Sequence, residues 1–349
     1  MNVFNDFLRS VLEGINVVMH NHGWSIIMFT ILIRLVLMPL DVKSRKGMRK
    51  MQQLQPQINK LSVKYKDDKQ KLQQKQSELF KKEHYNPLSG CLPLLIQWPV
   101  LIAMFAAMRA IANEQVVAQV FEYLSGIVPQ QDGWLWIKSL WMTDSPFTPI
   151  APDYTTLSMV GRDVWQKIYE GLSDETLAQV VANIPNYTAG MIDFSTDAAM
   201  KTTVTTLVSA MGSMPAYQDA IAAVPGWQNI NLFVTSLTLY VNYNGLLLLP
   251  ILSGVSQVLM TKLNPQATDP NAAAAPAQQG QAQGAGMNSF MKYLFPFISV
   301  FFCLTSNAGF ALYWVTSNLV STLQSVLITR YFDMKDKKAA DIKAEGEIR

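Results

Sequence analysis

The chain has 349 residues, half of them hydrophobic and only 15% charged, against roughly one quarter charged in a typical soluble domain. The formal net charge is +3 and there are two cysteines, Cys91 and Cys303, both inside apolar runs. This composition excludes a disulfide framework and a Cys/His metal cluster, and points to a membrane protein with substantial polar parts.

In chain order, residues 1–21 place Phe4, Leu8, Val11, Ile15 and Val18 at helical spacing with Asp6, Arg9 and Glu13 between them, an amphipathic helix expected at the extracytoplasmic membrane surface. No basic stretch precedes an apolar core and cleavage site, so no signal peptide is expected. Residues 22–40 contain "WSIIMFTILIRLVLMPL", whose seventeen residues would form a helix about 26 Å long, close to the thickness of a bilayer core. Residues 41–86 are rich in Lys, Gln, Leu and Glu with a polar break at "KDD", and read as a cytoplasmic helical hairpin. A second span is expected at 87–111. Residues 112–235 form a long extracytoplasmic segment holding five of the eight tryptophans, with parts resting on the membrane through aromatic residues. A third span follows at 236–262, then a low-complexity Ala/Gln/Gly/Pro linker at 263–288. A fourth span at 289–305 and a fifth at 308–329 are separated by a tight turn, and residues 330–349 form a tail.

Charge orients these spans. Residues 41–86 hold thirteen Lys/Arg against five Asp/Glu, whereas residues 112–235 hold four against twelve. The excess of Lys/Arg places the 41–86 loop in the cytoplasm, the N-terminus outside and the tail inside.

No phosphate-binding loop, HExxH pair or nucleophile elbow occurs, and His20 and His22 read as an interfacial pair rather than a metal site. No enzyme, cofactor or metal is expected. The informative residue is Arg34. An arginine at the centre of a span costs about 2.5–3.5 kcal/mol on insertion scales, so it must face water or polar groups. Thr30 lies one turn before it on the same face, and the other spans offer Gln97, Ser253 and Gln257, and the run Thr316, Ser317, Asn318, Ser321, Thr322 and Gln324. None of these is acidic, so no buried salt-bridge partner is expected. A hydrated cationic cavity suits a passing polar or acidic segment. Met28, Met38, Met104, Met108 and Met260 lie in or beside the expected spans and offer adaptable apolar surface.

Taken in order, "IIMFTILIRLVLMPL", "MRKMQQLQPQINKLSVKYKDD", "NPLSGCLPLLIQWPVLIAMF", "LLLLPILSGVSQVLM" and "FALYWVTSNLVSTLQ" resemble the YidC/Oxa1/Alb3 membrane protein insertases, in their short Gram-positive form. The resemblance implies an all-α polytopic protein of the bacterial plasma membrane, with five transmembrane helices around a hydrophilic groove and a mobile cytoplasmic hairpin. It implies that Arg34 is the groove arginine, with Thr30 its partner one turn earlier and Trp314 at a client-contacting aromatic position. It also implies nascent membrane proteins as clients, raises the Sec translocon and ribosome as further partners, and gives no role to DNA. Roughly residues 155–228 read as an insertion relative to that pattern, and the turn "TSNAGFALYW" lacks the usual Phe-Pro pair. The alternatives are a small transporter or channel subunit with Arg34 as counter-ion, and an assembly factor without insertase activity.

Overall fold

A computed structural model of the chain describes residues 2–86, 92–148, 151–222, 228–232, 235–239, 244–263 and 284–347. Most of the proposed linker, residues 264–283, and Cys91 lie outside the described residues. The described chain is mainly helical, with one two-stranded antiparallel sheet. It divides into two compact units: residues 1–27, 103–251 and 301–313 form the first, and residues 28–102, 252–300 and 314–349 the second.

The first unit begins with α1 (Asn2–Met19), which buries Leu8 and Leu12. Its charged face is also tied down. Arg9 donates from Nη1 and Nη2 to the two carboxylate oxygens of Glu114 at 2.9 and 2.7 Å, and Lys167 Nζ donates to Glu114 Oε1 at 2.7 Å. Glu114 sits on α4 (Leu92–Leu124), which continues thirteen residues past the span end expected at 111. The reason is packing rather than membrane: Val116, Val117, Val120, Phe121 and Leu124 recur at helical spacing and form one wall of a buried core.

Five helices complete that core: α5 (Tyr154–Ser158), α6 (Arg162–Glu170), α7 (Asp174–Ala182), α8 (Asp197–Gly212) and α9 (Pro215–Ala222). Polar side chains start three of them, since Asp153, Ser173 and Thr196 accept from backbone N–H groups of α5, α7 and α8. Trp165 is fully buried between Phe194, stacked at 6.0 Å, and Phe121, edge-on at 6.1 Å. The stretch read as an insertion therefore folds as a small helical cluster on the end of α4.

Strands β1 (Gln228–Leu232) and β2 (Thr235–Leu239) pair antiparallel, with Gln228 opposite Leu239 and Leu232 opposite Thr235. This shortens the third expected span, for α10 starts at Leu248 and ends at Leu263 rather than running from 236. Positive φ at Gly245 (+68°) and Leu247 (+61°) is incompatible with a continuous right-handed helix there. Asp144 organises the new start, its carboxylate accepting from the backbone N–H of Leu247 at 2.7 Å and of Leu249 at 2.8 Å. Burial pushes its carboxyl up, and these N–H bonds oppose the shift. Asn244 binds the same loop, donating to the carbonyls of Ser139 and Met142 at 2.6 and 3.0 Å.

The second unit holds α2 (His22–Lys64) beyond Met28, the first part of α4, α3 (Lys69–Lys82), the end of α10, α11 (Gly284–Thr305) to Val300 and α12 (Ala308–Glu347) from Trp314. No break occurs at residue 41, because residues 41–64 are strong helix formers and α2 continues through Pro39 and Pro56. It stops before "KDD", where Asp68 accepts from the N–H of Lys71 at 2.9 Å to begin α3. Leu54 and Ile58 of α2 cluster with Phe80 of α3 and Tyr85. Two residues, Ser306 and Asn307, separate α11 from α12, and Asn307 Oδ1 accepts from the N–H of Phe310 at 2.8 Å. The tail continues α12 as helix, with Arg49 of α2 paired to Asp333 and Asp336 and lying over the Phe332 ring.

Candidate functional site

Two described segments are long and apolar enough to cross a membrane, His22–Lys64 and Trp98–Leu124. Leu248–Leu263 and Leu294–Thr305 are shorter apolar helices. The distribution of side chains on these helices inverts that of a soluble protein. Along α12, Ser317, Asn318, Thr322, Gln324 and Ser325 are buried while Leu319, Leu323 and Leu327 are exposed. On α10, Ser253, Ser256 and Gln257 are buried while Val255, Val258 and Leu259 are exposed. Large apolar faces outside and a polar interior are stable where the surroundings are apolar.

Arg34 of α2 belongs to this polar interior. Its guanidinium donates from Nε and Nη2 to Ser317 Oγ of α12 at 3.1 and 2.5 Å. Gln324, two helical turns further along α12, donates from Nε2 to the Arg34 carbonyl at 3.0 Å. Asn318 Nδ2 donates to Ser256 Oγ of α10 at 3.1 Å, and Ser256 Oγ donates to the Ser253 carbonyl at 2.8 Å. Trp314 Nε1 donates to Ser299 Oγ of α11 at 2.6 Å. Polar hydrogen bonds thus join α2 to α12, α12 to α10, and α12 to α11.

Of the residues singled out from the sequence, Arg34 and Ser317 meet directly, and Asn318 and Trp314 extend the network from the same helix. Thr30 and Gln257 are buried on α2 and α10. The side chain of Gln97 lies outside the described residues. Three contributors were missed. Ser256 and Ser299 are the partners of Asn318 and Trp314, and isolated serines in apolar runs carry no signal of their own. Asp41 acts electrostatically with both Arg34 and Arg45. Its spacing, seven residues after Arg34 and four before Arg45, places all three on one face of α2 and could have revealed it.

The Ser317 hydroxyl on a neighbouring helix accepts from the guanidinium, and the Asp41 carboxylate on the same face of α2 attracts it electrostatically. The family model described as 60Kd inner membrane protein matches residues 14–244 and 214–337, most of the chain. This chain belongs to the 60Kd inner membrane protein family. The family comprises the YidC/Oxa1 proteins. Over 137 residues, 39% of this chain and 60% of the relative, it is 39% identical to the membrane protein insertase YidC of Fusobacterium nucleatum. It is 32% identical over 187 residues to that of Clostridium tetani, covering 52% of this chain and 71% of the relative. With that of Francisella tularensis subsp. novicida it shares 35% identity over 185 residues, 53% of this chain and 30% of the relative. Against the Fusobacterium and Francisella relatives, the chain spans less than two thirds of their length.

Proposed function

We propose that this member of the 60Kd inner membrane protein family is a membrane protein insertase of the bacterial plasma membrane. In this reading it crosses the bilayer five times, with residues 41–86 forming a cytoplasmic hairpin, the N-terminus outside and the tail inside. The observation that carries the proposal is Arg34, hydrogen-bonded to Ser317 within a polar network whose helices turn leucine and valine outward.

The mechanism is physical. The polar or acidic flank of a client segment enters the groove from the cytoplasm, where Arg34 and the hydroxyl and amide side chains of α10 and α12 replace part of its hydration. This lowers the desolvation cost that otherwise opposes transfer of polar chain through hydrocarbon. The client's apolar span meanwhile leaves along the lipid-exposed side, and the hydrophobic effect completes insertion. Trp314 and the exposed apolar residues would guide the apolar span. The Sec translocon and the ribosome are proposed as further partners.

Reconstitution tests the proposal. Purified protein in vesicles of phosphatidylethanolamine and phosphatidylglycerol is expected to raise the fraction of a short, acidic-flanked single-span client that becomes protected from external protease. Equal protection with empty vesicles would refute an insertase. Client-independent solute flux would instead support a channel.

A further inference from the structure

In the first unit, residues 134–137 form a turn whose shape and exposure have no role in the Arg34 site. Trp134 N–H donates to the Ile137 carbonyl and Ile137 N–H donates to the Trp134 carbonyl, both at 2.8 Å, so Leu135 and Trp136 form a two-residue turn. Leu135 has φ +48°, in the left-handed region that favours glycine or asparagine. A solvated turn would use those residues. Here leucine occupies the position, and the residue is 67% exposed.

The turn is fixed to the start of α2. The Trp134 indole packs edge-on against Trp24 at 5.7 Å and lies 5.4 Å from Trp136. Glycine at position 23 makes this possible, because a Cβ there would come within 2.2 Å of the indole. Trp24 in turn heads an exposed apolar stripe on α2, followed by Met28, Leu32, Leu35 and Val36 at helical spacing. The base of the turn is polar. Asn21 donates to the Gly133 carbonyl at 3.0 Å, and Asp132 accepts from the Trp141 indole at 2.9 Å and contacts His22 Nδ1 at 2.5 Å. An exposed leucine at the tip, the exposed Trp24 indole packed against Trp134, and a polar base match the gradient from acyl chain to headgroup, where tryptophan concentrates.

We propose that the Trp134–Ile137 turn is a lipid anchor, with Leu135 and Trp136 inserted at the acyl–headgroup boundary of the outer leaflet beside the start of α2. The inference rests on the proposal that α2 spans the bilayer. The anchor would fix the height of the first span relative to the outer surface.

Nitroxide accessibility tests this on the full chain with Cys91→Ser and Cys303→Ala as background, reconstituted in phosphatidylethanolamine/phosphatidylglycerol vesicles. Single cysteines replace Met28 on the stripe, Leu135 at the tip, and Glu175, which is exposed on α7. Each labelled protein must melt with its unlabelled parent. The label at 135 is expected to be relaxed by oxygen as at 28, and to be several-fold less accessible to a water-soluble nickel chelate than at 175. If 28 is lipid-exposed while 135 matches 175, the anchor is wrong and the spanning helix stands. Shielding of 135 from both reagents would show a protein contact and also overturn the anchor. Nickel access at 28 equal to that at 175 would overturn the spanning helix itself, and the anchor with it.

Discussion

Arg34→Glu is expected to abolish client insertion in the reconstituted assay, and Arg34→Ala to slow it at least tenfold, equivalent to about 1.4 kcal/mol in barrier height. The two substitutions remove the same cation but leave different groups behind. With glutamate, a second carboxylate joins Asp41 on the same face of α2, so an acidic client flank meets repulsion where it had met a donor. With alanine, the Ser317 hydroxyl loses its guanidinium partner and the client flank loses a cationic donor without meeting a repelling charge. Arg34→Lys is expected to remain within a few-fold of wild type. Nε and Nη2 both donate to the single Ser317 oxygen, a contact that an ammonium can also make, so charge is expected to matter more than planar geometry. Melting temperatures of all three variants within a few degrees of wild type would assign the losses to the groove. Equal insertion by Arg34→Glu and wild type across several clients would remove charge from the mechanism.

Trp165→Ala is expected to be the most destabilising single change in the outer helical cluster, at about 3–5 kcal/mol. The indole fills the space between Phe121 of α4 and Phe194, so alanine leaves a cavity against both rings. Trp165→Phe is expected to recover much of that loss. It keeps an aromatic ring on Phe194 and removes an indole N–H that is buried without a hydrogen-bond partner. Calorimetry on the purified protein should show the Ala variant melting earlier, with the Phe variant close to wild type. The hydrogen bonds from Arg34 to Ser317 and from Asn318 to Ser256 all lie within the second unit, so insertion by the Ala variant below its transition is expected to persist.

Several features stood out in the sequence because they violate a simple pattern. Arg34 interrupts an apolar run, and the Ser, Thr, Asn and Gln of α12 interrupt another; burial of those groups in one network follows from the cost of exposing them to hydrocarbon. "KDD" interrupts two strong helix formers, and Asp68 caps α3 there. What was illegible depends on contacts between distant segments. Composition ends the second span at residue 111, yet α4 continues because α5–α9 cover Val116 to Leu124. Hydropathy begins the third span near 236, yet β2 claims Thr235–Leu239 and Asp144, a hundred residues upstream, sets the start of α10. The role of Asp41 was readable in principle from its spacing but was hidden by its position at the edge of the apolar run.

The central claim is that a client's polar flank passes beside Arg34. A photoreactive amino acid placed at Thr30, Ser317 or Trp314, with Leu323 as a lipid-facing control on α12, can be activated while a ribosome-arrested client is midway through insertion. Crosslinks from 30 and 317 to the client's polar flank, from 314 to its apolar span, and none from 323 to the flank are predicted. Flank crosslinks that appear at 323 and never at 30 or 317 would contradict passage through the Arg34 groove.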